Sequence, residues 1–187
     1  MVVGRDKAGA RSNQADIGGY MTEPLAFTFE DDGSIPNSTL PLLVYRNAVP
    51  ADPAAIERIF AANGWPPAWR NGVHPFHHFH SSAHEVLGVA RGEASVLFGG
   101  PDGTVLPVQA GDVVVVPAGV AHCNQGQSSD LLIVGAYPEN GPSPDLRRGK
   151  PEEHDAAKRA VEGVPLPAKD PTGSIDTALP QLWARSA

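Results

Sequence analysis

The chain is poor in the features that mark several large functional classes. It has one cysteine, Cys123, in 187 residues, so no intrachain disulfide can form and a reducing cytoplasm is the plainest setting. Cations are scarce: 14 Lys and Arg stand against 21 Asp and Glu, for a formal net charge of -7. A nucleic-acid surface relies on clustered Lys and Arg, and only Arg147, Arg148 and Lys150 lie close together, so nucleic acid is not an expected partner. No apolar run approaches the roughly 20 residues of a membrane helix, and the opening stretch MVVGRDKAGARSNQADIGGY lacks a signal-peptide core. The expectation is a soluble cytoplasmic protein with no membrane partner. No nucleophile-elbow sequence is present either, which argues against a Ser or Cys hydrolase.

What the chain does have is enough apolar residues, 41%, for one sizeable core but not two. The expected organisation is a polar arm or upstream start over residues 1–20, a β-domain over 21–137, and a Pro-rich extension with a short helix over 138–187. Within 21–137, AFTFE and LPLLVYRN read as strands around the turn DDGSIPN. Asp52 caps a helix that opens with Pro53, carries Ile56, Ile59 and Phe60 on one face, and ends at Asn63-Gly64. Trp65-Pro66-Pro67-Ala68-Trp69 reads as a rigid linker. Strands are then expected at 73–80, 84–91, 93–99, 104–108, 112–117, 121–125 and 131–136, a density that indicates an all-β sandwich or barrel.

The chemistry is concentrated in two half-motifs. Gly72, His78, His80, Glu85 and Gly92 are spaced by five, one, four and six residues; Gly111, Pro117, Gly119 and His122 follow with spacings of five, one and two. In an extended segment alternate side chains share a face, so His78 and His80 point together while His77 and Phe79 point away. Three imidazoles and one carboxylate facing the inside of a small barrel without a common purpose would be costly. His78, His80, Glu85 and His122 are therefore expected to bind one metal ion. His74, His77 and His154 read as packed or surface residues, His84 faces away from Glu85, and Cys123 is a packing group on the opposite face from His122.

On these two motifs the chain resembles the cupin superfamily, and in particular small bacterial single-domain cupins of unassigned activity. The first motif matches at every position. In the second, the usual Asn four residues after the His is replaced by Gly126, and Asn124 is positioned by strand parity to take its polar role. The resemblance implies a jelly-roll barrel, the cupin double-stranded β-helix, with one or two short flanking helices. It also implies one divalent transition metal per subunit, of the set Mn, Fe, Ni, Co and Zn, among which N/O ligands do not choose. In similar cupins this ligand set supports oxidation of small carboxylates and enediols, aromatic dioxygenation, decarboxylation and sugar isomerisation.

By alternation the residues expected around the metal are Phe76, Leu87, Val89 and Asn124, with Arg91 or Trp69 at the rim, forming a small apolar pocket for a compact ligand. The expected function is that of a metal-dependent oxidoreductase of dioxygenase type acting on a small oxygenated metabolite. The competing reading is a non-catalytic metal-assisted binding or sensing domain for a small acid or sugar. The unbroken runs Val113–Val116 and Leu131–Val134 imply burial on both faces; the candidate covers are the N-terminal strands, the C-terminal tail and a partner subunit, of which a homodimer is the expected one, with Val113 and Val115 toward the pocket and Val114 and Val116 outward. The last residues are expected to be extended, strapped over the domain by Leu166, Ile175, Leu179, Leu182 and Trp183.

Overall fold

The computed structural model describes residues 23–173 and 178–186; the expected arm at 1–20, the start at Met21 and the anchor Ile175 lie outside the described residues. Nine strands are present among them: β1 Leu25–Phe27, β2 Leu42–Tyr45, β3 Pro67–Asn71, β4 Glu85–Arg91, β5 Glu93–Phe98, β6 Thr104–Gln109, β7 Val113–Val116, β8 His122–Gln127 and β9 Leu132–Ala136. Helix α1 spans Pro53–Ala62, α2 His154–Glu162 and α3 Ala178–Ser186. The strands form two antiparallel sheets, one ordered β1-β2-β7-β4-β9-β3 and one ordered β6-β5-β8. This is the jelly-roll arrangement expected from the short strands and Gly-rich turns.

Period-2 alternation divides the apolar residues between two cores. Leu42 and Val44 of β2, Leu87 and Val89 of β4, Val96 and Phe98 of β5, and Val114 and Val116 of β7 meet between the sheets. Their neighbours Leu43, Val86, Ala90, Val113, Val115 and Val134 face the other way, onto Ile56, Phe60, Trp65, Leu179 and Trp183. The expected orientation of β7 is thus reversed. Its register against β4 decides the matter, because Val114 lies opposite Leu87 and Val116 opposite Glu85, and residues directly opposite in a ladder share a face.

Both faces of the large sheet are buried, as the Val and Leu runs require, and the cover comes from within the chain. Helix α1 is capped as its sequence predicts: the Asp52 side chain accepts from Ala55 N, and the helix gives way at Asn63 to Gly64 at φ 79°. It crosses β4 at Gly88, where a Cβ would come within 2.7 Å of Ile56 Cγ2. The C-terminal residues, expected to be extended, instead form α3, which buries Leu179 and Trp183 completely on the outer face. Periodic spacing of Leu179, Leu182 and Trp183 gives that helix one apolar side, with Leu182 half-buried at its margin. Leu166 remains exposed. The two apolar runs therefore no longer argue for a second copy.

A buried latch holds the tail in place. The Tyr45 hydroxyl donates to Asp170 Oδ2 at 2.5 Å, and the same carboxylate accepts from Thr172 N and Leu179 N. Trp65 Nε1 donates to Lys169 O and Trp183 Nε1 to Pro41 O, so each buried indole is satisfied while its ring fills the outer core.

One expected strand is absent and an unexpected one takes its place. Residues 73–80 form a loop with only two isolated bridges, His78 to His122 and Phe79 to Arg147; Pro75 lacks the N–H that a ladder needs. The aromatic stretch read as a linker is strand β3, paired with β9 at the sheet edge. Its proline stands at the strand's first position, where the missing donor is tolerated.

Candidate metal centre

The loop that replaces the expected strand still delivers its histidines to one point. His78 and His122 exchange backbone bonds, His78 N to His122 O at 3.3 Å and His122 N to His78 O at 2.9 Å, and their rings lie 4.1 Å apart. His80 is fixed from the other side, its carbonyl accepting from Gly119 N at 2.8 Å. Asp145 braces the turn that follows: its carboxylate accepts from Ser81 N and Ser82 N, and its carbonyl meets His80 Nδ1. Glu85 opens β4 on the inner face. One ligand atom from each of His78, His80 and His122 falls within 4.8 Å of the others. Glu85 Oε2 is 3.4 Å from His80 Nε2 and 3.3 Å from His122 Nε2.

Hydrogen bonding sets the tautomers. His78 Nδ1 faces Phe76 O at 3.1 Å, His80 Nδ1 faces Asp145 O, and His122 Nδ1 faces Val120 O at 3.4 Å. A carbonyl can only accept, so each Nδ1 carries the proton and each Nε2 offers a lone pair. Glu85 Oε2 is buried and has no hydrogen-bond partner. Ring nitrogens and a buried carboxylate oxygen without a hydrogen-bond partner thus crowd one point, an arrangement costly for the protein alone and matched to a cation. That donor set fits a divalent transition metal.

The electrostatics agree. Burial and the adjacent His122 push His78 down to about 3, which keeps it neutral. Burial opposes protonation of His80, but the Glu85 carboxylate outweighs it and raises the group. Burial likewise opposes the charge on Glu85, yet the imidazoles of His122 and His80 hold its carboxyl well below the usual carboxylate range. A neutral His78 beside a standing Glu85 carboxylate matches the protonation states a metal requires.

A cavity of about 240 Å³ opens onto these side chains, lined also by Trp69, Arg70, Val73, His74, Leu87, Tyr137 and Leu146. Of the residues expected around the metal, Leu87 lines it. Val89 lies further along the inner core of β4. Phe76 is half-buried beside the centre, stacked on His74 with ring centroids 4.7 Å apart and covered by the Arg148 guanidinium. Asn124 is not among the lining residues: its amide nitrogen donates to Gln127 Oε1 and to Val73 O, and its oxygen accepts from Gly126 N. Trp69 is at the cavity, whereas Arg91 is exposed at the far end of β4. His84 faces away, its Nδ1 accepting from Ala118 N at 3.0 Å, and Cys123 is buried with its thiol near Asn124 O.

Three contributors escaped the sequence reading. Asp145 and Leu146 lie in the Pro/Gly-rich segment, which has no periodicity to orient a side chain. Tyr137 did carry a signal, since it falls two and four residues beyond Gly135 and Ile133 and shares the inward parity of Ile133. Burial and the nearby Glu85 carboxylate push its phenol above the ordinary tyrosine range.

Comparison with known proteins follows the same lines. Residues 69–145 match the family model described as Cupin. The uncharacterized protein YjlB of Bacillus subtilis is 42% identical over 164 residues, covering 87% of this chain and 98% of that relative. Among solved structures, acireductone dioxygenase from Bacillus anthracis, with cadmium in its active centre, shares 16% identity at a TM-score of 0.30, covering 56% of this chain and 54% of that one. Oxalate decarboxylase from Bacillus subtilis, in a study of its Mn(II) centres, shares 20% identity at a TM-score of 0.30, covering 58% of this chain and 22% of that one.

Proposed function

The chain belongs to the cupin family, and from that premise we propose that His78, His80, Glu85 and His122 hold one divalent transition metal in the service of an oxidoreductase of dioxygenase type. Its substrate would be a compact oxygenated metabolite. The observation that carries this reading is the grouping of one ligand atom each from His78, His80 and His122 within 4.8 Å, with His80 Nε2 and His122 Nε2 3.4 and 3.3 Å from a buried Glu85 oxygen that has no hydrogen-bond partner. When bound, such an ion supplies Lewis-acid or redox chemistry, and four protein ligands leave room for water, dioxygen or a chelating substrate.

The protein's own part is to fix and seclude. Backbone carbonyls of Phe76, Val120 and Asp145 lock the imidazoles, so the ligands need little rearrangement on binding. A cavity of about 240 Å³ is below the range of drug-sized sites and suits a small acid, enediol or catechol. Trp69, Leu87 and Leu146 give it apolar walls, while His74 supplies a polar group at its edge.

Metal analysis of the purified chain, followed by oxygen uptake on Fe- and Mn-loaded samples against compact acids, enediols and catechols, tests the proposal. Stoichiometric metal and turnover of one such class are expected. Metal with tight ligand binding but no turnover would transfer the site to a sensing role, and no metal in any loaded sample would remove the basis of both.

A further inference from the structure

One wall of the cavity is built by two residues that no motif contains. Trp69 in β3 and Tyr137 just after β9 are joined by a hydrogen bond, Trp69 Nε1 donating to the Tyr137 oxygen at 3.2 Å. This arrangement depends on Gly135, directly opposite Trp69 in the β3–β9 ladder. A Cβ there would come within 1.9 Å of Trp69 Cε2. Only glycine lets the indole lie flat over β9 with its N–H at the phenol.

The direction of that bond has a chemical consequence. The indole N–H has no acceptor capacity, so the Tyr137 oxygen accepts the hydrogen bond from Trp69 and its own O–H must point elsewhere. The phenol lines the same cavity as Glu85, whose buried Oε2 has no hydrogen-bond partner. Its ring also stands edge-on to His80, centroids 5.6 Å apart at 87°. Tyr137 therefore packs its ring on one member of the metal centre, shares the cavity with another, Glu85, and is itself held by Trp69.

We propose that Tyr137 is the positioning residue for Glu85: its hydroxyl holds one oxygen of that carboxylate, oriented by the indole of Trp69, and so turns the unpartnered Oε2 toward the three imidazoles. This rests on the metal reading of the centre given above. Glu85 would otherwise be the least anchored member of the set, because each imidazole has a backbone carbonyl on its second nitrogen and the carboxylate has no backbone partner among the described residues. The Trp69–Tyr137 pair supplies the hydrogen bond that is missing. Groups that hold a metal ligand by its second polar atom change affinity by about 10–100-fold when removed.

The test uses the full chain as wild type, Tyr137→Phe and Trp69→Phe. Each is titrated with Co(II) in competition with a chromophoric chelator, with its visible d–d spectrum recorded and its metal-free melting followed. Wild type should bind one Co(II) per chain. Tyr137→Phe should bind it about tenfold more weakly with a changed d–d envelope, while the metal-free protein melts within a few degrees of wild type; Trp69→Phe, which leaves the phenol unoriented, should shift both readouts in the same direction and by less. An unchanged affinity and envelope in Tyr137→Phe beside a wild type that binds Co(II) would overturn the positioning role and leave the metal centre standing, and a lowered melting point with those readouts unchanged would do the same by showing a packing role only. A wild type that takes up no Co(II) would overturn both.

Discussion

His84 and Trp183 pack ring against ring, with centroids 4.6 Å apart, on the side of the large sheet opposite the metal centre. His84 is the residue before Glu85, so the first strand of the site is clamped from both sides: Glu85 reaches into the cavity and its neighbour is covered by the C-terminal helix. The sequence separation is about a hundred residues, yet both side chains are essentially buried. The C-terminal segment is thus structural backing for the position where β4 begins.

Replacing Trp183 with Ala should be among the most damaging single changes outside the site. The ring is fully buried, contacts His84, and donates to Pro41 O; aromatic-to-Ala changes in cores cost about 3–5 kcal/mol. Denaturant unfolding should show a loss of this size. A change below about 1 kcal/mol would show that the helix does not support the sheet.

His84 also gives stability a pH dependence of definite sign. Burial pushes it down to about 4 from 6.5, so below pH 6.5 the unfolded chain takes up a proton that the folded chain resists until about pH 4. Stability from this group is complete above pH 6.5, declines as the pH falls from there to about 4, and is flat below. The full effect is on the order of 3 kcal/mol. In metal-free protein, the difference between wild type and His84→Asn should trace this window, since groups common to both cancel; parallel curves would refute the assignment.

Loss of a ligand should separate metal from fold. His80→Ala or His122→Ala should strip most of the bound ion while the chain remains folded, because the inner and outer cores are formed by apolar residues distinct from the ligands. Elemental analysis and circular dichroism check the two halves. Unchanged metal content in both variants would place the ion elsewhere.

The grouping of His78, His80 and His122 was legible in the sequence because fixed spacing survives changes in local conformation. His78 and His80 converge although their expected strand is a loop, since the backbone bonds to His122 and Gly119 do the work of a ladder. Helix α1 was legible from its cap and apolar face alone. The orientation of Val113–Val116 was not, because an all-Val run has no polar residue to mark a face, and only its register against β4 settles it. Strand β3 was obscured by Pro66 and Pro67 at its start, where an edge strand tolerates a missing donor. Asp145 and Tyr137 act through tertiary contacts that local pattern cannot express, although parity from Ile133 pointed to the latter.

Gly135 offers the most specific check on how the cavity wall is made. Its role follows from space, not from backbone freedom: a Cβ would overlap the Trp69 indole, with Cε2 at 1.9 Å and Cζ2 at 2.2 Å. Gly135→Ala must therefore push the indole off β9, which costs stability and breaks the bond from Trp69 Nε1 to Tyr137. Trp69→Leu alone removes the indole and leaves space beside the glycine, so it too destabilises. Combined, the alanine methyl enters the space the indole has left. The double variant should be more stable than the sum of the single losses implies, with a coupling of about 1–3 kcal/mol as expected for residues in direct contact. Strict additivity in a double-mutant cycle by denaturant unfolding would mean that Trp69 does not lie over Gly135, and the wall of the site would then have to be built another way.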